Sequence, residues 1–377
     1  MDELLTIVTA LLFGIIIGWW LREFTAAVKM RHIMQSIETH YKRNLPFVAY
    51  RKPSCEEVSS LFMNTDQLFY TKDFTESGFI FSPFNSDENT ILFPIKEADF
   101  ITEKIQIEER YILKDSLLNV GEANKEQHIQ LVEKALGQIN NKVLKKVVVS
   151  RNEDIVLEHF NLLVTFKKIL KTHPNAFVYV WFHPKVGLWF GATPETLLTI
   201  SGQQFETMSL AGTQVFVDHK VVWKNKELEE QQLVTNFIED QLKPLTTKLV
   251  TDKTETVKAG NLLHLKTKVD GALNSFSSLK ELIRALHPTP AVCGLPREKA
   301  KLFINTNEPY KRTFYTGFLG ELNFENKYSS LFVNLRCMTV NDSIATIFVG
   351  GGITKESNEN KEWEETIAKT KTMKQVL

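Results

Sequence analysis

The segment NKELEEQQLVTNFIEDQL (225–242) aims a carboxylate at an apolar face. Glu230 lies four residues before Val234 and seven before Phe237, on one stripe of a helix. A second helical segment, 358–376, repeats the arrangement, with Glu362, Glu365 and Lys369 at i, i+3 and i+7 beside Trp363 and Ile367. If the two helices face each other across a cleft, hard oxygen ligands on both suit Mg²⁺, which takes one or two carboxylates and fills its octahedron with water and substrate oxygens. Each feature also has an ordinary reading: Glu230 solvated beside Glu227 and Glu229, and Glu365 with Lys369 as a surface ion pair. Lys146 opens the apolar strand KVVVSR (146–151), where burial could lower its pKa toward that of a usable base, although a snorkelling lysine looks the same in sequence. Arg336, read as lying mid-strand in LFVNLRCMTV (331–340), needs a partner if it points inward, and a bound carboxylate would supply one. Gly350-Gly351-Gly352, read as following a strand, could bring bare amides to an anion, but the run is neither GxGxxG nor a Walker loop. Glu195 in GATPE, His264 in HLKT and His287 in LHPTPAVCG are further polar residues embedded in apolar or turn sequence.

These residues must be positioned by strand pairs and helices. Strand patterns occupy 176–182, 187–192, 195–200 and 204–210, the last two joined at Ser201-Gly202, and 331–340 and 343–349 flank Asn341-Asp342. Helical periodicity covers 125–142, 160–171, 225–243, 277–286 and 358–376. Strand pairs interrupted by helices, without single-strand βαβ spacing, predict an α+β fold with large antiparallel sheets.

Composition narrows the classes. The chain of 377 residues is 43% hydrophobic and 24% charged, which excludes a mainly disordered protein. Lys plus Arg and Asp plus Glu are both 45, so no net field draws it to nucleic acid. Cys55, Cys293 and Cys337 are odd in number and scattered, fitting a reducing, cytoplasmic setting and no zinc site. The exception is residues 4–21, uncharged and apolar throughout, about 27 Å long as a helix. Asp2 and Glu3 precede it, and Arg22, Lys29 and Arg31 follow, so as a membrane anchor it would leave the bulk on the cytoplasmic side. A start at Met30 or Met34, or a buried helix, are the alternatives. The expected organisation is therefore an apolar segment 1–33 and one catalytic domain 34–377, a monomer.

Taken in order, KVVVSR (146–151), GATPE (191–195), MSLAGT (208–213), KNKELEEQQLV (224–234), HLKT (264–267), LHPTPAVCGLP (286–296), YTGFLGE (315–321), NLRCM (334–338), GGGI (350–353) and EWEETIAKTKTM (362–373) resemble the chorismate-utilising enzyme family. Within it the likeness is to the isochorismate-forming branch of menaquinone and siderophore biosynthesis. The resemblance implies a four-layer α/β/β/α fold with two orthogonally packed sheets, and a Mg²⁺-dependent, reversible reaction in which water attacks C2 of chorismate and the C4 hydroxyl leaves. It implies Lys146 as general base and Glu195 as general acid, with Glu230 and Glu365 as Mg²⁺ ligands and Glu362 in support. Arg336, Gly351 and Gly352 would hold a substrate carboxylate, and Ala211, Gly212, Thr213, His264, Ala291, Tyr315 and Lys369 would complete the substrate-binding set. Ala211 stands where the aminating members carry a nucleophilic lysine, so water is the expected nucleophile. Salicylate synthases, which go on to eliminate pyruvate, are the alternative, and a membrane-tethered, inactive copy is the non-enzymatic one.

Overall fold

The computed structural model describes residues 33–105, 122–216, 221–259 and 262–377. The apolar stretch 4–21 lies outside them, and among the described residues no helix is long and apolar enough to cross a membrane. Two sheets dominate. In spatial order the first runs β15 (Gly294–Leu295), β7 (Lys146–Val156), β19 (Ile344–Ile353), β18 (Cys337–Asn341), β9 (Gly187–Thr193), β8 (Phe177–His183), β1 (Phe47–Arg51), β2 (Glu57–Met63) and β6 (Ala98–Lys104). The second runs β12 (Thr246–Thr251), β14 (Leu262–Leu273), β11 (Gln204–Val215), β10 (Thr196–Ser201), β17 (Tyr328–Val333), β16 (Phe318–Phe324), β4 (Gly78–Ser82), β5 (Thr90–Pro94) and β3 (Phe69–Thr71), with β13 (Glu255–Ala259) also on β14. Neighbours among the described residues pair antiparallel, as the strand-pair pattern predicts.

The apolar runs follow from burial on both faces. In β8, Val178, Val180 and Phe182 join Phe47 and Ala49 of β1 beneath the helix at residues 33–42 (α1) and α3 (Leu162–Thr172). Their alternates Phe177, Tyr179 and Trp181 meet Phe81, Phe93 and Phe332 of the second sheet. Phe177 stacks on Phe332 at 4.1 Å and Trp181 on Phe93 at 5.2 Å, so aromatic faces fill the space between the sheets. The far side of the second sheet is covered by α4 (Asn225–Leu242) and α5 (Leu279–Leu286), through Val234, Ile238, Leu282 and Ile283. At one end of the first sheet, α2 (Glu122–Asn140) and α6 (Arg297–Asn307) pack on Val147 and Val149, with α7 (Glu359–Lys374) on β19. The layers are helix, sheet, sheet, helix.

Two expectations are corrected. LFVNLRCMTV (331–340) is not one strand: β17 ends at Val333 in the second sheet and β18 begins at Cys337 in the first. Arg336 therefore sits in a crossover, with φ 46, rather than mid-strand. The crossover is invisible as a polar break because Asn334 is fully buried and satisfied, accepting from Tyr179 Oη at 2.6 Å and donating to Phe314 O at 2.9 Å. Gly350–Gly352 do not follow a strand but form its end, paired with Ser150, Val149 and Val148 of β7. β18 stops opposite Phe348, so the other edge of β19 is open beyond that point.

Candidate active site

Two of the connections that cross between the sheets each deliver a functional group to one cavity. Pro194-Glu195 links β9 to β10, and Leu335-Arg336 links β17 to β18; all four line the same space. Antiparallel strands that leave one sheet for the other must bend where the layers separate, and that is where room for a ligand opens. Ala211, Gly212 and Thr213 reach the cavity through a bulge in β11, where the register against β14 shifts between Ala211 and Thr213. Gly212 has φ +69 there, and a Cβ would press on Glu227 at 3.2 Å, so glycine is required. His264 of β14, Ala291, Tyr315, Gly352, Glu230, Glu365 and Lys369 also line it. Of the residues expected from sequence, Lys146, Gly351 and Glu362 lie beside the cavity rather than on its wall: Lys146 is fully buried, and Glu362 lines an adjoining cleft with Lys226 and Glu365.

Glu195 is 3% exposed, and burial raises its carboxyl from the usual 4.5 to about 8, against the opposing pull of Lys146 and Lys369. It is a neutral acid at pH 7. His264 takes the opposite course: burial first, then Arg336, lowers it to about 3, so the ring is neutral. Arg336 Nη2 donates to its Nε2 at 2.9 Å, and since a guanidinium only donates, the ring proton resides on Nδ1, facing Gly212 O and Thr213 Oγ1 at 3.3 Å. Burial lowers Arg336 itself to about 10. His287 plays no part here; its Nε2 bonds the carbonyls of Pro83 and Phe84 inside the core.

The acids expected as metal ligands are each met by a lysine. Lys146 Nζ stands 2.9 Å from Glu230 Oε1, an ion pair whose alignment leaves the ammonium without a well-directed hydrogen bond. Burial would raise Glu230, but Lys146 first, then Lys226 and Lys369, outweigh it and hold the carboxyl below its usual value. Glu365 pairs with Lys369 at 2.7 Å, and Lys369 also donates to Gly350 O on the open edge of β19 at 2.9 Å. Glu362, raised by burial and by Glu365, pairs with Lys226. Lys226, four residues before Glu230, was passed over in the sequence because a lysine in a charged helix start reads as solvated. Glu227, in the same acidic run, accepts from the Lys224 backbone N–H at 3.0 Å as a helix cap, which leaves Glu230 as the inward acid.

A divalent cation fits this arrangement. The three carboxylates converge on β19: a Cβ on Gly352 would stand 2.3 Å from Glu230 Oε1, and one on Gly351 would be 3.4 Å from Glu362 Oε2 and 3.9 Å from Glu365 Oε1. Glu362 Oε2 is buried without a hydrogen-bond partner. Among the described residues no ready-made cage of three or more ligating groups exists, so a Mg²⁺ ion here would have to draw on water and substrate oxygens as well. Gly352→Ala is accordingly expected to displace Glu230 and weaken Mg²⁺ binding roughly 10–100-fold. Calorimetric titration with Mg²⁺, alongside an unchanged circular dichroism spectrum, checks this; undiminished affinity would remove Glu230 from the site.

The chorismate binding enzyme family matches residues 85–377. The chain is 28% identical to isochorismate synthase EntC of Escherichia coli (strain K12) over 311 residues, 78% of this chain and 79% of that protein. It is 30% identical to the vibriobactin-specific isochorismate synthase of Vibrio cholerae over 260 residues, 66% of each. A putative 2,3-dihydroxybenzoate-specific isochorismate synthase from Bacillus anthracis shares the fold with TM-score 0.75 and 23% identity over 88% of this chain and 96% of that one. Anthranilate synthase component I from Streptococcus pneumoniae shares it with TM-score 0.64 and 17% identity over 87% and 92%.

Proposed function

Since the chain belongs to the chorismate-binding enzyme family, we propose that it is an isochorismate synthase, an isomerase that adds water at C2 of chorismate and expels the C4 hydroxyl, reversibly and with Mg²⁺. The observation that carries this reading is Glu195, a carboxyl raised by burial to about 8 in a cavity that Arg336 and Lys369 also line. Hydroxide leaves poorly, and a neutral acid in contact with it can donate a proton as the C–O bond breaks. Arg336, oriented by neutral His264, presents donors to a substrate carboxylate. Lys146, acting as the free amine and not as the ammonium opposite Glu230, is the base that takes a proton from the attacking water while Glu195 gives one to the departing hydroxyl. Return of that proton from Lys146 to Glu195 through solvent resets the pair for the next turnover. Glu230 and Glu365, with Glu362 in support, would hold Mg²⁺, which supplies positive charge for a substrate carboxylate. Ala211 offers no amine at the cavity wall, which supports water over a covalent lysine adduct.

Incubating the purified protein with chorismate, with and without Mg²⁺, and separating the products tests this. The expected result is a Mg²⁺-dependent mixture of chorismate and isochorismate reached from either side. Salicylate with pyruvate would identify a salicylate synthase instead, and no turnover, even with ammonia, would overturn the enzymatic reading. Between pathways we assign menaquinone biosynthesis, supported by the apolar stretch 4–21, which would bring the enzyme to the membrane where that quinone resides. Restoration of menaquinone in a strain lacking its isochorismate synthase, dependent on residues 4–21, is the expected outcome.

A further inference from the structure

We propose that the helix-covered face of the first sheet carries a second binding site, for a small monoanionic carboxylate, built on Arg151 and His128. The site is a cavity of about 170 Å³ lined by His128, Ser150, Arg151, Asn152 and Asn307 among others, and it shares no lining residue with the substrate cavity. Its volume exceeds what one water needs.

Arg151 is 5% exposed, and most of its guanidinium is accounted for. Nε donates to Thr366 Oγ1 at 3.0 Å, Nη1 donates to Glu153 Oε2 at 2.9 Å, and the plane lies over Trp363 at 4.6 Å. Nη2 is buried and has no partner. His128, 2% exposed and 5.9 Å from the same Trp363 ring, has no partner on either ring nitrogen. Two unsatisfied buried side chains on one small cavity are unusual, because such groups cost free energy unless something bonds them.

The charge balance indicates what that something is. Glu153 is shared: Arg151 takes one of its oxygens and Lys374 the other, so two buried cations face one anion. Water could satisfy the hydrogen bonds but not the remaining positive charge. A monoanion does both, and a carboxylate matches the flat donor edge at Nη2. His128, held neutral near pH 7 by burial and by Arg151, offers one N–H to a second oxygen.

The test follows the His128 ring by NMR in the full chain carrying ¹³C-labelled histidine, its signal assigned by loss in His128→Phe. Acetate and pyruvate are titrated against chloride at matched ionic strength, with inorganic phosphate as a further arm. The expected result is a saturable shift with the carboxylates, absent with chloride, retained in Arg336→Ala and lost in Arg151→Lys. Should Arg151→Lys fail to fold, calorimetric heats of acetate binding in Arg336→Ala are compared with those in Arg336→Ala/His128→Phe, where at least a tenfold weakening is expected. No saturable shift, an equal shift with chloride, tighter binding of phosphate, or binding unaffected by these substitutions would each overturn the proposal. Because Arg336→Ala disables the substrate carboxylate contact, failure here is distinct from failure of the isochorismate synthase reading.

Discussion

Glu195→Gln is expected to abolish chorismate turnover, by about 10²–10⁴-fold in kcat, while making the folded protein more stable in alkaline solution. The two effects share one cause. Burial favours the neutral carboxyl, so the folded chain keeps a proton that the unfolded chain releases above about 4.5, and gives it up only near 8. The stability linked to that proton is present below the unfolded value and lost as pH rises through the window up to about 8. Glutamine is neutral throughout and close in shape. The melting temperature of the variant should therefore match the parent near pH 4.5 and exceed it progressively toward pH 8. In the parent, the rate of the step that needs the acid should fall as pH passes about 8. Melting curves and pH–rate profiles measure both, and a variant that retains full activity would remove Glu195 as the acid.

Lys146→Ala is expected to cost a similar factor in turnover and, without Mg²⁺, a substantial part of the stability. As a general base alone, Lys146 would matter to activity and not to the fold. The structure changes that expectation, because Lys146 is fully buried and is the nearest cation to Glu230. Removing one partner of a buried ion pair leaves the other charge uncompensated, typically a loss of about 3–5 kcal/mol. Mg²⁺ at Glu230 replaces the missing charge, so added Mg²⁺ should raise the melting temperature of the variant more than that of the parent. An equal Mg²⁺ response in the two proteins would show that Lys146 and the metal do not share Glu230.

Much of this site was legible before folding because helices and strands carry periodicity. Glu230, Glu362, Glu365 and Lys369 announce themselves by spacing against Val234, Trp363 and Ile367, and helix bounds read from 3.6-residue stripes agree with α4 and α7 to within one or two residues. Crossovers carry no period. Arg336 read as a strand residue because the chain keeps its apolar character from Phe332 to Met338, and only burial of Asn334 between the sheets reveals the change of layer. The glycine run read as an anion loop; in the fold its missing side chains also make room for carboxylates from two helices.

Before it folds, the chain already specifies the α+β class, the acids on two helices and, through the order of its motifs, the family. Those properties rest on local periodicity and residue identity, which a chain carries before it folds. The packed layers set the rest: which lysine neutralises which acid, that Glu195 is a neutral acid, which nitrogen of His264 holds the proton, and that Arg151 and His128 line a second cavity. Each depends on burial and on contacts between residues distant in the chain, because a charge loses its solvation and finds its partner only when the layers close around it.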